Sequence, residues 1–308
     1  MRSPYRTHDR ECFFKYMPAS TAALVLTNRT LRWSSPLLFN DPFDVPRELS
    51  FGMAVDDLLQ ASANRIAQLI EEPPVDRSHF SPVVHLILDM VEASCTTTAR
   101  AQLAQQLREA EGLQKPSGES LEALREIWRQ SLPKFRILCL TESPSHAAMW
   151  HHYADQYRGV VLEMKCDDEL CSAWLGAKPV TYPREKPLVY TSDGWADLLT
   201  LRQEIAIERM LDVAIHTKSP DWSYEAEWRL MSIKREGESG LFGDYGFHSQ
   251  EISGIYLGPR ISENDRAVIA EICSAYPNAK IWNVSIGMSR EFHFSAAGGS
   301  LKKLLPSD

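Results

Sequence analysis

The period of the apolar residues changes twice along this chain, and that change limits the fold classes open to it. Cys12-Phe13-Phe14-Lys15-Tyr16-Met17 reads as a short aromatic strand. Thr30-Leu31-Arg32-Trp33-Ser34-Ser35 reads as a second, with Arg32 and Ser34 on one face and Leu31 and Trp33 on the other. Between them, Ser20 or Thr21 caps a helix running through Leu26. From 52 to 130 the spacing becomes helical, over Met53–Ile70, Val83–Val91, Thr97–Glu111 and Glu119–Gln130, with breaks at Pro73-Pro74 and Lys115-Pro116-Ser117-Gly118. Strand-like runs return at Phe135–Thr141, Gly159–Met164, Lys178–Tyr182, Ile252–Leu257 and Lys280–Ile286. A long helix is expected over Gly194–Lys218 and another over Glu263–Ser274, and the tail Ala296-Ala297-Gly298-Gly299 is expected to be loosely held. The result is an α+β chain: a mixed, mostly antiparallel sheet around a cleft, with its core in 1–50 and 131–308 and a helical insertion over 51–130.

Composition narrows the function. With 308 residues, 44% hydrophobic and 24% charged, the chain can bury a sizeable core. A net charge of -8 excludes broad nucleic-acid binding through a basic surface and leaves a local basic groove open. The six cysteines, at 12, 95, 139, 166, 171 and 273, form no CxxC pair, as expected in a reducing cytosol. The N-terminus is polar, and no apolar run approaches the roughly 18 residues that span a bilayer. A soluble cytoplasmic protein with no membrane partner is expected.

The stretch Asp221-Trp222-Ser223-Tyr224-Glu225-Ala226-Glu227-Trp228-Arg229 is the most suggestive for chemistry. Read as a strand, it places Glu225, Glu227 and Arg229 on one face and Tyr224, Ala226, Trp228 and Leu230 on the core face. Like charges side by side repel. Either they serve a site, or they shield an edge strand, with Arg229 neutralising Glu227. Ser143 is expected to cap a helix with Pro144 at its first position, placing His146, Trp150 and Tyr153 on one face. His146, His151 and His152 lack the spacing of a metal site, so no metal is expected. Cys139 lies in an apolar run and reads as a small buried hydrophobe. The chain contains no GxGxxG, P-loop lysine or GxSxG elbow.

Several blocks together resemble a known family. Lys15-Tyr16, Leu31-Arg32-Trp33-Ser34-Ser35-Pro36 and Phe39-Asn40-Asp41-Pro42-Phe43-Asp44 come first. Cys139-Leu140-Thr141-Glu142, Met149-Trp150-His151-His152-Tyr153-Ala154 and Gly159-Val160-Val161-Leu162 follow, then Val180-Thr181-Tyr182 and Trp222 to Arg229. In this order, across residues 11–260, they resemble the bacterial family called domain of unknown function 2971. Their order also resembles the ADP-ribosyltransferase superfamily, although its Ser-Thr-Ser triplet is absent.

That second resemblance implies NAD as substrate and a toxin or phage-defence effector modifying nucleic acid or protein, with an antitoxin or regulatory partner. It implies Glu227 as the carboxylate that stabilises the oxocarbenium-like ribose, and Glu225 as the residue that orients or deprotonates the acceptor. Tyr16, Arg32, Ser34, Asn40, Asp41 and Tyr153 are the expected NAD-binding residues. Each has a structural alternative. Arg32 holds the pyrophosphate or pairs with Asp41 or Asp44, Asn40 and Asp41 contact substrate or build a turn, and the tyrosines stack on a ring or fill the core. Glu142 is a further carboxylate at a strand end. Two other functions fit the chain: a non-enzymatic module binding a nucleotide or partner, and a metal-independent nuclease.

Overall fold

A computed structural model describes residues 2–48, 55–109, 118–185, 187–289 and 291–296. The expected breaks at 115–117, the helix start at 53–54 and the tail at 297–299 lie outside them. The described residues form two compact units: those within 2–40, 133–180 and 220–296 in the first, and those within 41–132 and 181–219 in the second.

The first unit is built on ten strands: β1 (Cys12–Met17), β2 (Thr30–Ser34), β3 (Phe135–Thr141), β4 (Val160–Lys165), β5 (Lys178–Pro179), β6 (Glu227–Ile233), β7 (Phe242–Gly246), β8 (Ile252–Leu257), β9 (Lys280–Ile286) and β10 (Phe292–Ala296). They run in the order β10-β9-β8-β4-β1-β3-β2-β7, with β6 branching from β3 and β5 pairing with β6. Every pairing is antiparallel except β8–β9. The mixed, mostly antiparallel sheet of an α+β fold is therefore present. β7 and β10 are not legible in the sequence, because Gly243, Asp244 and Gly246 in one and His293 and Ser295 in the other dilute the apolar alternation.

The sheet is apolar on both faces. Alternation along β1 sends Phe13 and Met17 into one cluster with Leu138, Leu140 and Leu162. Ala22, Val25 and Leu26 of α1 (Ala19–Asn28) and Ile269 and Cys273 of the helix Glu263–Cys273 cover that cluster. Phe14 and Tyr16 point the other way, into a cluster with Trp150, Val161, Tyr256 and Val284. Where β4 begins, Gly159 lies against neighbouring backbone: a Cβ there would meet the Met17 carbonyl oxygen at 2.2 Å and the Ala154 carbonyl carbon at 2.9 Å. Backbone cannot yield as a side-chain tip can. Gly159→Ala is therefore expected to cost about 2 kcal/mol or more in urea unfolding.

The second unit is helical: α2 (Val55–Glu71), α3 (Pro82–Ser94), α4 (Thr97–Glu109), α5 (Gly118–Ser131), α7 (Ser192–Thr200) and α8 (Gln203–Ile215), with α6 (Ala147–His152) and α9 (Glu263–Cys273) belonging to the first unit. Ala67, Ile70, Val91 and Ala104 interlock α2, α3 and α4. The single helix expected over 194–218 is two. Leu201 is extended (φ -85°, ψ 161°) and bridges Phe80, while the Arg202 amide donates to the His79 carbonyl at 3.0 Å. Pairing with a distant segment breaks this helix where no Gly or Pro marks the break.

Candidate active site

The site is organised by β3, whose two edges are used unequally. β6 pairs along one edge over all seven positions, from Phe135↔Ile233 to Thr141↔Glu227. The other edge is shared: β1 joins at Thr141, through Phe14, and β2 at Ile137, through Ser34. Between those contacts the Cys139 carbonyl accepts from Lys15 Nζ at 2.6 Å, so an ammonium replaces a missing ladder bond.

Alternation on β3 sends Leu138 and Leu140 into the core and leaves Cys139 and Thr141 on the opposite face. Their partners across the ladder are Arg229 and Glu227. Arg229 grips Glu227 with two prongs, Nε to Oε1 at 2.8 Å and a terminal guanidinium nitrogen to Oε2 at 3.0 Å. Both residues are buried, at 1% and 5% exposure. The guanidinium also lies 5.4 Å from the centre of the Phe39 ring. Burial, then the neighbouring charge of Glu227, pushes the Cys139 thiol upward, so it stays protonated and is no nucleophile at neutral pH.

The continuous strand expected over 222–233 does not form. Pro220–Glu225 is a 3-10 turn, Ala226 is left-handed (φ 42°), and β6 begins only at Glu227. The reason lies in β3, which ends opposite Glu227. The Thr141 hydroxyl takes over there, donating to the Glu225 carbonyl at 2.5 Å. Glu225 therefore leaves the ladder, and its carboxylate accepts from the Tyr153 hydroxyl at 2.6 Å. Glu225 is 3% exposed. The expected common face also splits: Tyr224 packs with the Trp150 cluster, while Trp228 packs with the Phe13 cluster.

Tyr153 is positioned from β1. The buried Tyr16 hydroxyl donates to the Ser143 carbonyl at 2.9 Å and accepts from the His146 amide at 3.2 Å. Burial pushes this phenol far upward, so it holds its proton. Ser143 caps no helix: its hydroxyl accepts from the Ser145 amide, and α6 begins after His146. Trp150, fully buried and edge-on to Tyr16, donates to the Pro144 carbonyl at 2.7 Å. Beyond Tyr153 the chain turns through three consecutive left-handed residues, Asp155, Gln156 and Tyr157. Each is uncommon for a residue with a side chain. The Gln156 and Tyr157 amides donate back to the His151 and Trp150 carbonyls, which anchors the end of α6.

Tyr153 and Glu225 thus share a hydrogen bond, Glu227 is paired with Arg229, and Tyr16 bonds the backbone ahead of α6. The remaining expected residues stand apart from these. Arg32 is exposed, pairs with Asp244 at 3.2 Å rather than with Asp41 or Asp44, and lies 3.8 Å above the Phe242 ring. Ser34 is half-buried at the β2–β3 contact, and Asn40 is exposed. Asp41 builds a turn, its Oδ1 accepting from the Phe43 amide at 2.8 Å. Glu142 accepts from Trp228 Nε1 at 2.7 Å and pairs with Arg10 at 3.3 Å. Thr141 is the member that sequence reasoning passes over. Its only signal is a hydroxyl residue ending an apolar strand. Among the described residues, no group of three or more His, Cys, Asp and Glu side chains is arranged to hold a metal, and no helix is long and apolar enough to cross a membrane.

Residues 149–230 match the model of the family described as "Protein of unknown function (DUF2971)". The resemblance to that family is shown over this stretch. The matched stretch holds most of α6, all of β4, β5, α7 and α8 and the start of β6, and with them Tyr153, Glu225, Glu227 and Arg229. No curated protein and no solved structure matches the chain.

Proposed function

We propose that this protein is an NAD-dependent ADP-ribosyltransferase-like enzyme whose reacting carboxylate is Glu225, with Glu227 as its support. The observation that carries the reading is the pair of buried carboxylates flanking the Ala226 kink, one held by a phenol and the other by a guanidinium. When nicotinamide leaves, positive charge develops on the ribose. A carboxylate in a site shielded from water stabilises that charge far better than one in solvent. Arg229 already balances the charge of Glu227, which weakens it in that role. Glu225 accepts from the Tyr153 hydroxyl, and a ribose hydroxyl is a donor of the same kind. The roles proposed are therefore the reverse of those the superfamily resemblance implies.

A non-enzymatic nucleotide- or partner-binding module is the second reading. The two-pronged Glu227–Arg229 pair and the backbone bonds of the Tyr16 hydroxyl favour it, because both engage polar groups in holding the fold. Nicotinamide release from NAD by the purified protein, alone and with DNA, RNA or cell lysate, tests the choice. Release is expected, and the additive that stimulates it identifies the acceptor class. Saturable NAD binding without release would establish the module instead.

A further inference from the structure

The first unit contains a small cavity, of about 150 Å³, that neither Glu225 nor Glu227 lines. An apolar cavity of this volume takes one six-membered ring, whereas a drug-sized ligand needs about twice that or more. The register of β2 on β7 builds its floor. Leu31 pairs with Tyr245, and both side chains enter the Phe13 cluster, as does Trp33 two residues on. The Trp33 and Tyr245 rings lie 5.4 Å apart and tilted. Trp174 and Phe247 supply two further aromatic walls. The Trp174 indole N–H already donates to the Lys165 carbonyl at 2.6 Å, so Trp174 offers the cavity its apolar surface. Ala173 and Gly246 add a methyl group and backbone.

Ser232 and Arg235 complete the lining. The Ser232 hydroxyl makes one long bond, to the Ile233 carbonyl at 3.4 Å. Arg235 is exposed, and its guanidinium carbon lies 4.1 Å from the centre of the Tyr245 ring. Stacking of this kind occupies the face of a guanidinium and leaves its N–H edge available. Among the described residues Arg235 forms no ion pair, and its guanidinium donates no hydrogen bond. No carboxylate lines the cavity. Burial, then Glu238, raises the Tyr245 phenol, and Glu238 is itself paired with Arg136 at 3.1 Å.

This combination selects a class of ligand. A cation would meet the charge of Arg235 with no carboxylate in the walls to offset it. A small inorganic anion would answer Arg235 and leave the aromatic walls unfilled. A neutral ring would fill the walls and leave the guanidinium edge to water. A planar ring bearing a carboxylate does both, because a carboxylate accepts two parallel bonds from a guanidinium edge and the ring packs among aromatic side chains. We propose that this cavity binds a single-ring aromatic carboxylate, its ring among Trp33, Trp174 and Phe247 and its carboxylate on Arg235. The proposal does not rest on the role given to Glu225.

The test is calorimetric titration of the full chain with benzoate, beside benzyl alcohol, benzylammonium and acetate. Benzoate is expected to bind at one site per chain, benzyl alcohol about tenfold more weakly, and benzylammonium and acetate not at all. Arg235→Gln, at an exposed position, should leave folding intact and weaken benzoate by about tenfold. Ser232 lies two residues beyond the core residue Leu230 on β6, so Ser232→Phe should place a ring in the cavity and abolish binding. Ala173→Leu, in an exposed turn, is a second blocking variant should Ser232→Phe not fold. Three results would each overturn the proposal. One is no binding of benzoate up to millimolar concentration. Another is benzyl alcohol or benzylammonium binding as tightly as benzoate. The third is unchanged affinity in Arg235→Gln or in a blocking variant that circular dichroism shows to be folded.

Discussion

Glu225→Gln is expected to lower nicotinamide release from NAD by about 10²- to 10³-fold, the loss typical of removing one preorganised electrostatic group from a shielded site. The substitution keeps the side chain's shape and an oxygen that can accept from Tyr153, so the 2.6 Å contact survives in weaker form. The stability cost should be about 1 kcal/mol, the difference between a charged and a neutral acceptor. Activity and folding are therefore separable in this variant: circular dichroism and a melting curve should look close to wild type while release falls. Glu227→Gln should differ, because it unbalances the Arg229 guanidinium and affects folding together with activity. Release by Glu225→Gln at the wild-type rate would remove Glu225 from the reaction.

Arg229→Leu is expected to destabilise the chain by about 3–5 kcal/mol, because it leaves the carboxylate of Glu227 buried without its counter-charge. Replacing both partners, as Glu227→Leu with Arg229→Leu, should recover most of that loss, since two apolar side chains bury no charge. Urea unfolding of both single variants and the double variant closes the cycle. A loss below about 1 kcal/mol for Arg229→Leu would mean that the pair is not buried as a unit. If the double variant folds but lacks nicotinamide release, Glu227 also acts on the reaction beyond its pairing with Arg229.

The parts of this architecture that were legible in the sequence share one property: their signal is local. β1 alternates Phe13 and Met17 against Phe14 and Tyr16 within six residues, and its two faces enter two different clusters. β2, β3, β4, β8, β9 and the helices of 55–131 likewise carry their period in their own residues. The breaks in α7–α8 and at Ala226 carry no such mark. Each arises where a distant segment offers a better partner: Phe80 for Leu201, and the Thr141 hydroxyl for the Glu225 carbonyl. Arg32 shows the same effect on the charged residues. Its partner is Asp244 of β7, a strand too poor in apolar residues to be read in advance.

By itself, the sequence determined the class of fold, most of the strands and helices, and the residue types from which a carboxylate site can be made. Periodicity and side-chain chemistry are properties of neighbouring residues, and they survive whatever the rest of the chain does. Only the tertiary structure decided which groups face one another. It branched the sheet at β3, paired Glu227 with Arg229, gave Glu225 to Tyr153 and set Asp44 beside Lys218. Hydrogen bonds and ion pairs between residues far apart in the chain depend on register and packing to within an ångström or so, and no local pattern encodes that.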